Sequence, residues 1–245
     1  PKRSTSKPKP KPTRPTKTLT PSEWWNYCNK TSELVRDRYL SETCHKKSKS
    51  IKDINIVRLA GIQAAEKLSP LEKRAFECWM DTQTHKSAKP METCPIMQDM
   101  LRNDKCCPPS SVLQNALLRQ RLPVKIRVFR GIKSYNSAPE VRAQFDNLKV
   151  GDKIMDKGFM STTLSEHNTN SFMPEGGPGK ECCTMVINLP KGFPTFWISA
   201  LDIEESRFHE DEILLPKNTI LKLTKEKIVF GNRRELTFDA IAPLK

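Results

Sequence analysis

The sequence predicts an α+β fold: N-terminal helices packed on a mixed, mainly antiparallel two-sheet β core. Three observations predict it. Helix-start signals and helical apolar spacing fill residues 20–120. After residue 120 the texture changes to short strand-like runs punctuated by Gly and Pro. Those runs follow one another without regular helices between them, which argues against a doubly wound parallel sheet.

The elements follow in order. Residues 1–19 are Lys, Arg, Pro, Ser and Thr with one Leu, a disordered basic tail that cannot form a core. Thr20-Pro21-Ser22-Glu23 is a capping box with Pro at the first helical position, and Trp24, Cys28, Val35 and Tyr39 recur behind it at helical spacing. Ile51 to Leu68 reads as a second helix with Ile54, Val57, Leu59 and Ile62 available for burial. Ser69-Pro70-Leu71-Glu72 repeats the start signal and leads a helix through Phe76 and Trp79, both read as core. Pro108 and Pro109 interrupt, and Ser111 to Gln120 is a last short helix. Val124 to Phe129 alternates with period two, as a strand does. Ser137-Ala138-Pro139-Glu140 opens a helix to about Leu148, and strands are expected at 158–164, 182–189, 196–201, 211–215, 219–224 and 235–241. The expected organisation is therefore a tail (1–19), a helical subregion (20–120) and a β-rich core (121–245), with 20–245 forming one domain.

Composition bounds the function. The net charge is +14 in 245 residues, and the seven basic residues of 1–20, with no acid among them, supply half of it. That tail suits nucleic acid, an acidic partner or nuclear import, and equally a plain solvated linker. No apolar run approaches the roughly 18 residues of a spanning helix, and the N-terminus lacks the apolar stretch of a secretory signal. A soluble protein is expected, intracellular or exported. The eight cysteines form no C-x-x-C pair, and the four histidines are not at zinc spacing to them, so no metal site is expected. The even cysteine count permits disulfides in an exported protein; reduced thiols are the slightly preferred reading.

Three motifs carry chemistry. Phe129-Arg130-Gly131 puts a guanidinium fork at a strand end, where it can take a pair of phosphate oxygens while the Gly lets a ligand approach the backbone. Gly158-Phe159-Met160-Ser161-Thr162-Thr163-Leu164 sets three hydroxyls in an apolar strand, Ser161 and Thr163 on one face and Thr162 on the other. They either pair with neighbouring backbone or orient another side chain. Arg207 to Pro216 runs an acidic loop into an apolar strand. On an extended chain Glu210 and Glu212 share a face, about 6.5–7 Å apart, with Asp211 on the other. Each motif alone has an ordinary reading: a surface Arg, a backbone-paired hydroxyl run, a solvated acidic turn.

Together and in this order they resemble the arginine–serine–glutamate class of mono-ADP-ribosyltransferases, which includes binary-toxin catalytic chains and Vip2-like toxins. That pattern is an Arg ending a strand, Ser-Thr-Ser on a second, and Glu-x-Glu entering a third with a Leu-Leu-Pro tail. Arg130-Gly131, Ser161-Thr162-Thr163 and Glu210-Asp211-Glu212-Ile213-Leu214-Leu215-Pro216 match it, with Thr163 a conservative departure. The resemblance spans about residues 50–245, and it is the ordered triple that is specific.

The resemblance implies the ADP-ribosyltransferase fold and NAD as substrate, without a metal. Glu212 would stabilise the positive charge that develops on the ribose, and Ser161 would hold Glu212. Arg130 would bind the diphosphate. Gly131 would offer backbone hydrogen bonds to the nicotinamide amide. The strand of Ser161, Thr162 and Thr163 would line that pocket, and Phe172 would stack on the ring. Glu210 implies an arginine of a protein acceptor, a host protein if the chain is an effector, toxin or viral factor, and Phe208 falls near the aromatic of acceptor recognition. Two departures stand out. The loop 164–179 has no Arg where the binary-toxin branch has a second one; Glu175 takes that spacing, which leaves Lys180 or another basic residue to substitute. Phe208 is one residue out of register. The alternatives are a degenerate member that binds or only hydrolyses NAD, and a nucleic-acid-binding protein whose active part is the tail.

Overall fold

The computed structural model describes residues 48–80, 94–132, 139–172, 182–201, 210–229 and 233–241. The basic tail and the helix expected from Thr20 lie outside the described residues. Residues from Ser50 onward form one compact unit. Its helices are α1 (Ser48–Glu66), α2 (Pro70–Met80), α3 (Cys94–Arg102), α4 (Pro108–Arg119) and α5 (Pro139–Asp146). Its strands are β1 (Ile126–Gly131), β2 (Lys153–Asp156), β3 (Met160–Thr163), β4 (Cys182–Leu189), β5 (Phe196–Trp197), β6 (Glu212–Leu215), β7 (Thr219–Val229) and β8 (Arg233–Ile241). Short 3₁₀ turns at His167–Phe172 and Ile198–Ala200 complete the described elements.

The second capping box forms as the sequence dictates. Glu72 Oε2 accepts hydrogen bonds from the Ser69 backbone N–H and hydroxyl, each at 2.9 Å, and the Glu72 N–H donates to Ser69 Oγ at 3.3 Å. Arg119 of α4 donates to the other carboxylate oxygen and so ties α4 to the start of α2. Burial pushes the Glu72 carboxyl upward, but the Ser69 N–H, the Arg119 fork and the Ser69 hydroxyl together hold it below the ordinary value. The prolines at 108 and 109 correct the sequence reading. They occupy the first positions of α4, where a missing N–H costs nothing, and the helix starts at Pro108 rather than Ser111. The run 196–201 is likewise two residues of strand followed by a 3₁₀ turn.

Among the described residues the strands form one eight-stranded sheet in the order β2-β7-β8-β4-β1-β3-β6-β5. All pairings are antiparallel except β4 with β8. The two sheets expected from the sequence are thus hydrogen-bonded into one, but the bond between them is slender. Where β1 meets β3 the ladder consists of a single pair, Phe129 opposite Thr163. Five strands lie on one side of this seam and three on the other.

Two cores explain which strands are apolar throughout. One, built around Val128, Ile187, Leu221 and Phe238, also takes Met160, Ile213 and Leu215. The other, built from α2, α3 and α4 around Phe76, Met97 and Leu117, takes Phe159, Phe196 and Leu214. Successive side chains of β6 therefore enter opposite cores, so Ile213, Leu214 and Leu215 are all fully buried.

Helix α1 is fixed to the three-stranded side at two points. A Cβ on Gly61 would stand 2.9 Å from Trp197 Cβ, so only glycine allows this approach of helix to strand. Three residues earlier, Arg58 forks onto the carboxylate of Asp211. Its Nε donates to Oδ1 at 3.0 Å and its Nη2 donates to Oδ2, with both side chains largely out of solvent.

These anchors predict two outcomes in denaturant unfolding. Gly61→Ala, worth up to about 1 kcal/mol of stabilisation in an open helix, instead destabilises by about 1–3 kcal/mol from overpacking. Arg58→Ala costs about 3 kcal/mol because it strands a buried carboxylate, and Arg58→Ala/Asp211→Asn recovers part of that loss. For Glu72, whose carboxyl is depressed in the folded chain, stability is complete above the unfolded carboxylate range and is lost as pH falls through the folded value. The stability gap between wild type and Glu72→Ala therefore narrows on acidification.

Candidate active site

Three adjacent strands bring the sequence motifs together. Arg130 is the penultimate residue of β1, Ser161 lies in β3 and Glu212 opens β6, with β3 between the other two. The half-buried Arg130 sends its Nη1 across the seam to donate to the Ser161 carbonyl oxygen at 2.7 Å. Burial lowers the proton affinity of its guanidinium below the ordinary arginine value. The Asp156 carboxylate opposes that shift, Arg102 adds to it, and Glu212 opposes it. Arginine retains its charge through such shifts. The motif thus presents a fixed cation within the electrostatic field of the Asp156 and Glu212 carboxylates. Gly131, which follows, pairs with Thr184 of β4 at the end of the ladder.

The three hydroxyls of β3 divide their work. Thr162 Oγ1 donates to the Ile213 carbonyl at 2.7 Å, and Thr163 Oγ1 donates to the Glu210 carbonyl at 2.7 Å. Both are buried, whereas Ser161 is half-exposed. Asn168 of the 3₁₀ turn adds a second bond to the Glu210 carbonyl at 3.0 Å. The acidic segment is therefore pinned by its main chain from β3 and from the turn that follows it.

The geometry of that segment corrects the sequence reading. Glu210, Asp211 and Glu212 are not continuously extended: β6 begins only at Glu212, and Asp211 has a left-handed φ of 50°. Glu210 and Glu212 consequently do not share a face through strand alternation. Asp is among the few residues that tolerate this conformation, and the Arg58 fork holds it there. Glu210 is exposed on the turn, while Glu212 lies opposite Thr163 and half-buried. The Glu212 N–H donates to Ser199 Oγ at 3.2 Å, which draws in the Ile-Ser-Ala stretch before the acidic loop. Its carboxylate Oε1 accepts from the Trp79 indole at 3.3 Å.

Four participants were not singled out from the sequence: Arg58, Trp79, Asn168 and Ser199. Trp79 carried a signal, since a buried indole N–H needs an acceptor, and Ser199 lies in the Ile198-Ser199-Ala200 stretch that the resemblance includes; Arg58 and Asn168 carried none without the fold. The backbone of Phe172 ends the 3₁₀ turn His167–Phe172. Phe208, Glu175 and Lys180 lie outside the described residues. Among the described residues, no group of three or more His, Cys, Asp or Glu could hold a metal ion, and no helix is long and apolar enough to cross a membrane.

No curated protein matches the chain. Solved structures share its fold at low identity. Plx2a, an ADP-ribosyltransferase toxin from Paenibacillus larvae, aligns with a TM-score of 0.55 at 19% identity over 80% of this chain and 96% of its own. C3stau2 from S. aureus, solved with NAD, aligns at 0.56 and 16% over 77% and 94%. BECa, an ADP-ribosylating toxin of a C. perfringens binary enterotoxin, solved with NADH, aligns at 0.60 and 15% over 79% and 48%. The sequence itself matches the model of the ADP-ribosyltransferase exoenzyme family across residues 62–244, which takes in all three motifs. The chain belongs to that family.

Proposed function

We propose that the chain cleaves NAD at the nicotinamide–ribose bond and transfers the ADP-ribose to an arginine of a protein acceptor. The observation that carries this reading is the meeting of Arg130, Ser161 and Glu212 on adjacent strands, with the guanidinium and the carboxylate in electrostatic reach of each other. A diphosphate flanked by two sugars needs such a pair: a cation for the phosphates and an anion for the ribose. The NAD and NADH in the solved relatives support the same substrate.

In this reading the bond breaks with its electron pair leaving on the nicotinamide nitrogen, and positive charge develops on the ribose. The fixed Glu212 carboxylate stabilises that charge more than the ground state. Arg130 takes the diphosphate oxygens. Gly131 offers backbone groups to the nicotinamide amide, the strand of Ser161, Thr162 and Thr163 lines the ring's pocket, and Phe172 stacks on it. The acceptor guanidinium nitrogen then bonds to the ribose carbon, and its proton passes to Glu210, whose exposed carboxylate also orients the incoming arginine. Phe208 is assigned to acceptor contact. The toxins among the relatives support an acceptor in another cell, reached as a toxin or effector.

Incubation with labelled NAD and a mixed protein extract tests this. Wild type is expected to label protein, and Glu212→Ala to lower labelling by about 100-fold or more. Glu210→Gln is expected to lose arginine transfer and keep NAD hydrolysis. Wild-type protein that neither labels nor hydrolyses NAD would sink the enzyme reading.

A further inference from the structure

The Glu212 carboxylate is held by a residue from the helical half of the molecule. Trp79 sits in the last turn of α2, fully enclosed, and its indole donates to Glu212 Oε1 over a separation of 133 residues. The ring cannot drift. Its edge packs against Phe159, with centroids 5.5 Å apart and planes at 72°, and Phe159 immediately precedes β3. Met97 and Leu117 belong to the same core. The main chain of Glu212 is separately fixed, through its N–H on Ser199 and its ladder with Thr163. Backbone anchors leave the side-chain torsions of a glutamate open; a donor on Oε1 sets the plane of the carboxylate. Trp79 supplies a donor on Oε1.

We infer that Trp79 is a positioning residue for Glu212, its indole N–H fixing the orientation of the carboxylate that acts in the reaction. The inference rests on the proposed NAD cleavage for its catalytic meaning, and on the hydrogen bond itself for its structural meaning. A tryptophan serving only as core would keep its role as phenylalanine, because the Phe159 contact and the apolar packing survive that change. A positioning donor would not.

Two measurements decide it. In steady-state NAD cleavage, Trp79→Phe is expected to lower kcat by about tenfold or more, because a misplaced reacting group loses rate steeply, with KM for NAD within about twofold. Unchanged kcat, or a rise in KM with kcat intact, overturns the inference. The second measurement needs no turnover. In ¹⁵N-labelled protein the Trp79 indole resonance is identified by its loss in Trp79→Phe, or by its contact with Phe159 if that variant does not fold. Glu212→Ala is expected to shift that resonance and to speed its proton exchange with water by about tenfold, at a melting temperature close to wild type. An indole proton indifferent to Glu212→Ala overturns the inference. Absent NAD cleavage with an indole proton that does respond would instead remove the proposed function and keep the Trp79–Glu212 bond.

Discussion

Between Arg58 on α1 and Asp211 at the head of β6 runs a two-bonded guanidinium–carboxylate pair, and the disposition of the acids on either side follows from it. Removing two charges from water is costly, and only matched geometry repays the cost. Here the fork matches both carboxylate oxygens and holds Asp211 in a left-handed conformation that few residues accept. That single backbone reversal puts Glu210 on an exposed turn and starts the strand at Glu212. The middle acid of the triplet thus shapes the chain, and the outer two are those to which the proposed reaction gives roles.

The surroundings stiffen this arrangement from both sides. Because β6 is covered by a core on each face, its backbone has little room to move, and hydroxyls on β3 pin the carbonyls of Glu210 and Ile213. The polar residues at the strand ends inherit that rigidity. Arg130 and Glu212 stand where buried apolar ladders give out, a common way for a protein to hold charged groups in place.

Local features of this fold were legible in the sequence, and features made by distant contacts were not. The Ser69–Glu72 box could be read because all of its hydrogen bonds fall within four residues. Strand β4 could be read because an apolar run bounded by turn residues has few other uses. Strand β2 went unread: it is four residues long and exposed at alternate positions, on an outer edge where Lys153 and Asp156 look like loop. Pro108 and Pro109 were read as a break because a helix start and a helix stop use the same residue. In the site, the three motifs and their order were plain, since each is a short run of neighbouring residues. The shared face of Glu210 and Glu212 was not a sound inference, because the reversal at Asp211 depends on an arginine 153 residues away. Trp79 could be read as buried, but its acceptor comes from the other half of the chain.

The single pair that joins β1 to β3 gives the site a mechanical character. Arg130 belongs to the five-stranded leaf and Glu212 to the three-stranded leaf, so the two charges stand on opposite banks of a nearly severed ladder. A few degrees of tilt about that junction would change their separation without breaking a strand. The guanidinium already spans the gap by its bond to the Ser161 carbonyl, like a rivet where the stitching stops. A molecule gripping both banks would act as a brace, and by linkage the energy of its grip would appear as added resistance to unfolding.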